Sequence, residues 1–320
     1  MDLKMELATS SGHPVPAGLK AGTVTTSDGC ELRYAVTTTT NNTKNGTRGT
    51  VCVFHGRRGY IERDYETVKD LTKRGFAVAL LDWRGQGRSD RLLKDHRKGH
   101  IKSFKQYDAD LEAFMKKIVL PDCPPPYYGL AHSTGGNVLL RALQKSTWFE
   151  ACVLLAPMLG FRQTKISMAI LGTIINSLTA IGLGGLSFPG DFKVRIFSRN
   201  ELTHDERRFD KQVELLAEHP DLDLGPPTVG WLSASLAANK TLMRLKSSDV
   251  LHSPVLIIAS GDERVVSQDK IEQFSRQLGT IPMVTIEHAF HEVLLERDSM
   301  REQFWAAFDS FMDQHPKKPQ

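Results

Sequence analysis

Tyr127-Tyr128-Gly129-Leu130-Ala131-His132-Ser133-Thr134-Gly135-Gly136-Asn137-Val138-Leu139-Leu140 divides into three pieces. A short apolar run has the character of a buried strand. A turn of small residues follows, and an apolar pattern at helical spacing closes the stretch. Ser133 stands at the corner. The pattern small-x-Ser-x-Gly is that of a nucleophile elbow, with Ala131 in the first small position, where Gly is usual. Such a turn holds the serine backbone in a strained conformation, so its neighbours have to be small. Ala131 and Gly135 meet that demand, and Gly136 lets the following helix approach the sheet. The hydroxyl would then stand clear of the sheet at a helix N-terminus, where the helix dipole and the Thr134 N–H favour negative charge.

The chain has 320 residues, enough for one large domain and an insertion. With 40% hydrophobic and 24% charged residues, it has the composition of a folded globular protein. The net charge is +4, with both signs mixed along the chain. That argues against nucleic acid as a partner and allows weak attraction to an anionic lipid surface. Residues 1–20 carry Asp2, Lys4 and Glu6 and no apolar core, so no secretory leader is expected. The four cysteines, Cys30, Cys52, Cys123 and Cys152, form no CxxC pair. Cys52 and Cys152 fall in expected buried strands. They read as core thiols of a reducing compartment, with no disulfide, metal or cofactor implied. The expected location is cytoplasmic, at most peripheral to the inner membrane.

Working outward from the elbow, residues 23–36 predict a hairpin turning at Ser27-Asp28-Gly29, and residues 37–49 a surface loop. Val51-Cys52-Val53-Phe54 predicts a buried strand that runs into His55-Gly56-Arg57-Arg58-Gly59. A helix through Val68 and Leu71, closed by Gly75, leads to another strand at 76–81. Phe104, Tyr107, Leu111, Phe114, Met115 and Ile118 recur at helical spacing, and residues 151–156 predict a further strand. Strands alternating with helices predict an α/β fold: a mostly parallel sheet with helices on both faces. The alternation stops at Pro157 and resumes at Val255-Leu256-Ile257-Ile258-Ala259. The expected organisation is therefore a core of 1–157 and 251–320 interrupted by a helical cap, 158–250. Such a cap would sit over the carboxyl ends of the strands, where open parallel sheets bind ligands.

Within the cap, residues 166–190 carry no charge. Gly172, Asn176, Ser177, Gly182, Gly184 and Pro189 argue against a membrane span and for a lid that lines an apolar pocket or touches a membrane surface. Residues 205–218 and 231–245 predict amphipathic helices. The final helix, 300–312, has Phe304, Trp305, Phe308 and Met312 at core spacing, and residues 314–320 read as a disordered tail.

A serine nucleophile needs a base, and the base needs a carboxylate. Elbow folds supply them in the order serine, acid, histidine. His291, just past the expected strand 283–286, is the candidate base in preference to His288, because the loop needs length to reach back to Ser133. Asp262 and Glu263 both follow the strand that ends at Ala259, and the chemistry alone does not choose between them. The oxyanion donors would be the Thr134 N–H and, from the loop after Phe54, the Arg57 N–H. Asp82-Trp83-Arg84-Gly85 reads as scaffold, with Asp82 capping backbone N–H groups.

These residues resemble α/β-hydrolases of the serine-aminopeptidase-like group, and within it the bacterial lysophospholipase L2 and monoacylglycerol lipase branch. The resemblance runs over nearly the whole chain. It rests on Phe54-His55-Gly56-Arg57, Asp82-Trp83-Arg84-Gly85-Gln86-Gly87, Lys98-Gly99-His100, Leu130-Ala131-His132-Ser133-Thr134-Gly135-Gly136, Arg207-Arg208-Phe209, Pro226-Pro227-Thr228-Val229-Gly230-Trp231 and His291-Glu292-Val293-Leu294. It implies Ser133 as nucleophile, His291 as base, and Arg57 and Thr134 as oxyanion donors. Similar proteins read Gly-x-Asp-Arg-Val-Val around the acid. Aligning Arg264-Val265-Val266 puts Glu263 in that slot, with Asp262 one position early. Gly59 departs from the pattern, since the similar loop usually holds a Glu there. The implied activity is cleavage of carboxylic esters of single-acyl lipids through an acyl-enzyme, on an acyl ester or lysophospholipid substrate, with transient membrane contact through the cap. A small-ester carboxylesterase is one alternative. An aminopeptidase is another, with Glu201, Asp205, Glu206 and Glu214 receiving the substrate amine. A non-enzymatic interaction module is the third, and a complete serine, acid and histidine set argues against it.

Overall fold

The uncharged runs 50–54, 77–81, 127–132, 151–155 and 255–260 become the central strands of one sheet in the computed structural model, which describes residues 3–37, 46–162, 168–189 and 196–316. Strands covered on both faces have no polar side to show, which is why these segments are apolar without alternation. Along the chain come β1 (Leu19–Thr25), β2 (Glu31–Thr37), β3 (Thr50–Phe54), α1 (Tyr65–Lys73), β4 (Ala77–Leu81), α2 (Lys105–Phe114), the short turn α3 (Leu120–Asp122), β5 (Tyr127–His132) and α4 (Thr134–Ala142). Next are β6 (Ala151–Leu155), α5 (Met168–Ala180), α6 (Glu206–Glu218), α7 (Val229–Leu242), β7 (Val255–Ser260), α8 (Gln268–Gln277), β8 (Met283–Ile286) and α9 (Asp298–Gln314). The sheet order is β1-β2-β4-β3-β5-β6-β7-β8. The β1–β2 and β2–β4 pairings are antiparallel, and the others parallel.

Alternate strand residues feed two cores. Cys52, Phe54, Ala79, Leu81, Cys152 and Leu154 pack on one face against α2 and α4. Val51, Val53, Val78, Leu80, Val153 and Leu155 pack on the other against α1 and α9. The expected two-faced α/β sheet is therefore present. The elbow strand β5 lies at its centre, between β3 and β6, so the loops after β3 and β5 are neighbours in space. The expected helix face of 104–118 is α2 extended by a π-helical turn, Met115–Val119.

Between β6 and β7 the described residues add helices and no strand to the sheet. Of the uncharged stretch 166–190, residues 168–189 are described; 166, 167 and 190 lie outside. So do 38–45 of the expected surface loop and 317–320 of the expected disordered tail. The cysteines are free, with Cys30, Cys52 and Cys152 buried. No helix among the described residues is long and apolar enough to cross a membrane.

Candidate active site

Ser133 takes φ +50°, ψ −111° at the junction of β5 and α4. That is a costly conformation for a residue with a Cβ, and the surroundings hold it. Its N–H donates to Leu155 O at 2.9 Å, and its carbonyl accepts from Met158 N at 2.9 Å and Asn137 N at 3.2 Å. The glycines explain how tightly the corner is packed. A Cβ on Gly135 would lie 2.3 Å from Phe54 O, and one on Gly136 3.0 Å from the Pro157 Cβ. Gly56 comes just as close from β3's loop, since its Cβ would lie 3.0 Å from the Ser133 Cβ. Thr134 is the first residue of α4, so its N–H has no partner inside the helix and is available to an anion.

The second expected donor, the Arg57 N–H, is oriented by His55, a motif residue to which the sequence reading gave no role of its own. His55 Nδ1 lies 2.9 Å from Gly56 O. A carbonyl only accepts, so Nδ1 carries the proton. The N–H and C=O of a trans peptide point opposite ways, so this bond turns the Arg57 N–H away from His55. The indole of Trp83 donates to His55 O at 3.0 Å and fixes the preceding peptide as well. Gly59, the departure from the family pattern, has a steric reason. A Cβ there would lie 2.5 Å from the His55 Cβ and Cγ.

His291 and Glu263 meet. His291 Nδ1 lies 2.8 Å from Glu263 Oε2, and both side chains are buried. Oε1 of the same carboxylate accepts from Val265 N at 2.7 Å and Val266 N at 3.1 Å. Burial pushes the Glu263 carboxyl up, but the hydrogen bond and charge of His291 and the two N–H groups outweigh it and hold it below its ordinary value. Asp262 goes elsewhere. Its half-exposed side chain lies 3.8 Å from His288 Nδ1, and His288 is itself exposed. With Nδ1–H committed to a carboxylate, Nε2 of His291 is left to take a proton.

Residues to which the sequence reading gave no role hold the His291 loop. His132 Nε2 lies 3.0 Å from His291 O. Burial pushes the His132 imidazole down to about 4, so it is neutral at physiological pH. Glu292 bridges Arg63 at 2.8 Å and His132 Nδ1 at 3.5 Å. Burial opposes its charge, but the Arg63 guanidinium above all brings it down to about 2. The buried Glu296 carboxylate accepts from Phe290 N at 2.8 Å on one side and from His204 N at 2.8 Å on the other. Glu292 N donates to Leu202 O at 2.9 Å. Residues 202–204 of the interstrand segment are thus bonded to the loop that carries His291. Only the completed fold brings these groups together, so no local pattern signals them.

Ser133, Thr134, Arg57 and His291 line one cavity of about 590 Å³. Leu171 and Ile175 of α5, Phe209 and Leu216 of α6, and Trp231 and Leu236 of α7 give it an apolar wall. Its size and lining suit a mainly apolar ligand held by a few polar groups. Of the four acids considered for an amine substrate, only Glu201 lines it. Asp205 instead caps α6 and pairs with Arg208 at 2.7 Å. Asp82 is scaffold: its carboxylate accepts from Ile61 N and Arg88 N at 2.9 Å each and from Arg33 Nε at 2.7 Å. No cluster of metal-ligating side chains occurs among the described residues.

The family described as "Serine aminopeptidase, S33" matches residues 45–298. The chain belongs to that family. It is a serine hydrolase by family. Lysophospholipase L2 of Escherichia coli strain K12 is 32% identical over 262 residues, covering 78% of this chain and 76% of that protein. The probable lysophospholipase L2 of Haemophilus influenzae is 26% identical over 83% of this chain and 84% of its own. A soluble variant of the Saccharomyces cerevisiae monoglyceride lipase superposes with TM-score 0.70 at 18% identity, over 90% of this chain and 94% of that one. At that identity the likeness shows the fold, the α/β-hydrolase fold of this serine aminopeptidase family member.

Proposed function

We propose that the chain hydrolyses carboxylic esters of single-acyl lipids, lysophospholipids or monoacylglycerols, through an acyl-enzyme on Ser133. The observation that carries this reading is the cavity: the strained serine, the Glu263-held His291 and a wall of cap side chains border the same space. Ser133 Oγ attacks the ester carbonyl while His291 Nε2 takes its proton. The oxyanion is met by the N–H groups of Thr134 and Arg57. Collapse expels the alcohol, which receives the proton from His291. Water, deprotonated by His291, then attacks the acyl-enzyme by the same route and releases the fatty acid. The core of 1–157 and 251–320 would carry this chemistry and the cap of 158–250 the acyl chain. The names of the relatives, lysophospholipases and monoglyceride lipase, agree with a lipid ester.

The cap surface supports a peripheral encounter with membrane. Helix α5 is apolar on two sides. Leu171 and Ile175 line the cavity, whereas Ile170 and Ile174 are more than half exposed, and Ile181 just beyond the helix is 71% exposed. Exposed isoleucines along and just beyond one helix suit a lipid interface.

The deciding experiment is fatty-acid release from lysophosphatidylcholine and from a monoacylglycerol of the same chain length, wild type beside Ser133→Ala. Release by wild type, reduced about 10³-fold or more in the variant, is expected. Equal release by both would sink the serine mechanism.

A further inference from the structure

The arginines buried most deeply among the described residues, Arg33, Arg84, Arg88, Arg208 and Arg301, each touch at least one carboxylate. Arg57 does not. It lines the cavity beside Ser133, and its Nη2 donates to Gly225 O at 2.5 Å. Its Cζ lies 5.4 Å from the centre of the Trp231 ring, and its buried Nε has no hydrogen-bond partner among the described residues. Of the other arginines lining the cavity, Arg58 lies 3.4 Å from Asp223 and Arg63 2.8 Å from Glu292, whereas Arg162 and Arg199 are exposed at its margin. Burial, with the like charge of Arg58, pushes the Arg57 guanidinium down to about 9, still cationic at neutral pH. A cation held against an aromatic face with one carbonyl for company retains donors for an incoming anion.

We propose that the Arg57 side chain receives the phosphodiester of a lysophospholipid head group, and so sets the preference of this cavity for phosphate-bearing over neutral single-acyl lipids. The inference rests on ester hydrolysis at Ser133. With the acyl chain along the α5–α7 wall, the head group is the part of the substrate left to meet the polar wall. Planar guanidinium donors match phosphate oxygens. The peptide N–H of Arg57 serves the oxyanion and its side chain the head group, so the test reads the ratio of two ester substrates, in which any loss at the oxyanion is common to both.

The test compares kcat/KM for lysophosphatidylcholine and for a monoacylglycerol of equal chain length, in wild type, Arg57→Met and Arg57→Lys. The ratio of the two should fall about 10- to 100-fold in Arg57→Met, chiefly through KM for the phospholipid, and recover in part in Arg57→Lys. A ratio unchanged within about twofold overturns the proposal. So does a wild type that cleaves monoacylglycerol but not lysophosphatidylcholine, which leaves ester hydrolysis standing. Release from neither lipid removes the lipid reading and the proposal together. A measurement on wild type alone guards against a misfolded variant. Glycerophosphocholine should slow labelling of Ser133 by a neutral organophosphonate, and glycerol should not; equal effects overturn the proposal. Oleate separates the other anion source. If Arg57→Met relieves oleate inhibition while the substrate ratio holds, Arg57 binds the product carboxylate and the proposal falls.

Discussion

Glu263 Oε2 and His291 Nδ1 lie 2.8 Å apart, and neither side chain is more than 4% exposed. Its neighbour Asp262 is 49% exposed and faces a different histidine. Adjacent residues in a loop project in different directions, so only one can serve a buried imidazole. Glu263→Gln should therefore lower kcat for ester hydrolysis by about 10³- to 10⁴-fold, because an amide can hold the wrong histidine tautomer. Asp262→Asn should leave kcat within about twofold. Steady-state kinetics with matched melting temperatures decide, and the reverse order of effects would exchange their roles.

The His55 ring occupies the space a side chain at position 59 would need, and it also orients the Gly56–Arg57 peptide. Gly59→Ala should displace the ring and cost about 1–3 kcal/mol of stability. It should also lower kcat about 10- to 100-fold as the Arg57 N–H swings off the oxyanion. Adding His55→Ala removes the clash but not the misorientation. The double variant should regain part of its melting temperature and none of its kcat, a non-additive cycle. An undiminished kcat in Gly59→Ala would show that His55 does not control the donor.

Asp64 lies immediately before α1, with Oδ2 buried and unpartnered among the described residues. Burial raises its carboxyl from 3.8 to about 6. Glu292 and Asp82 act in the same direction, and His55 and Arg63 oppose it. The folded chain thus keeps a proton there that the unfolded chain releases. The contribution of this group to stability is greatest below about pH 4, falls as pH rises to about 6, and stays lower above that. Asp64→Asn removes this slope. It should gain on wild type by on the order of 3 kcal/mol at pH 7.5, with the gain vanishing at pH 4. Urea midpoints at both values measure this, and an equal difference at the two would refute the assignment.

The central strands were legible because each is a short uncharged run between polar or glycine-rich connections, and the elbow because its small residues are consecutive in the chain. Asp262 and Glu263 were not separable by chemistry, since direction around a turn depends on the backbone; only family alignment favoured Glu263. The supports of the His291 loop were invisible for a related reason. Glu296 takes its meaning from Phe290 and from His204, 92 residues earlier in the chain. The orienting role of His55 could be suspected only from the absence of a side chain at Gly59.

The bonds from residues 202–204 to Glu292 and Glu296 also limit what the segment between β6 and β7 can be. Here one hem of the segment is sewn to the loop that carries His291. A chimaera that replaces it at the ends of β6 and β7 would leave the Glu296 carboxylate and the Glu292 N–H with strangers, and would move His291 along with the pocket. A new lining for the cavity and an unchanged position of His291 therefore make competing demands on the same few bonds.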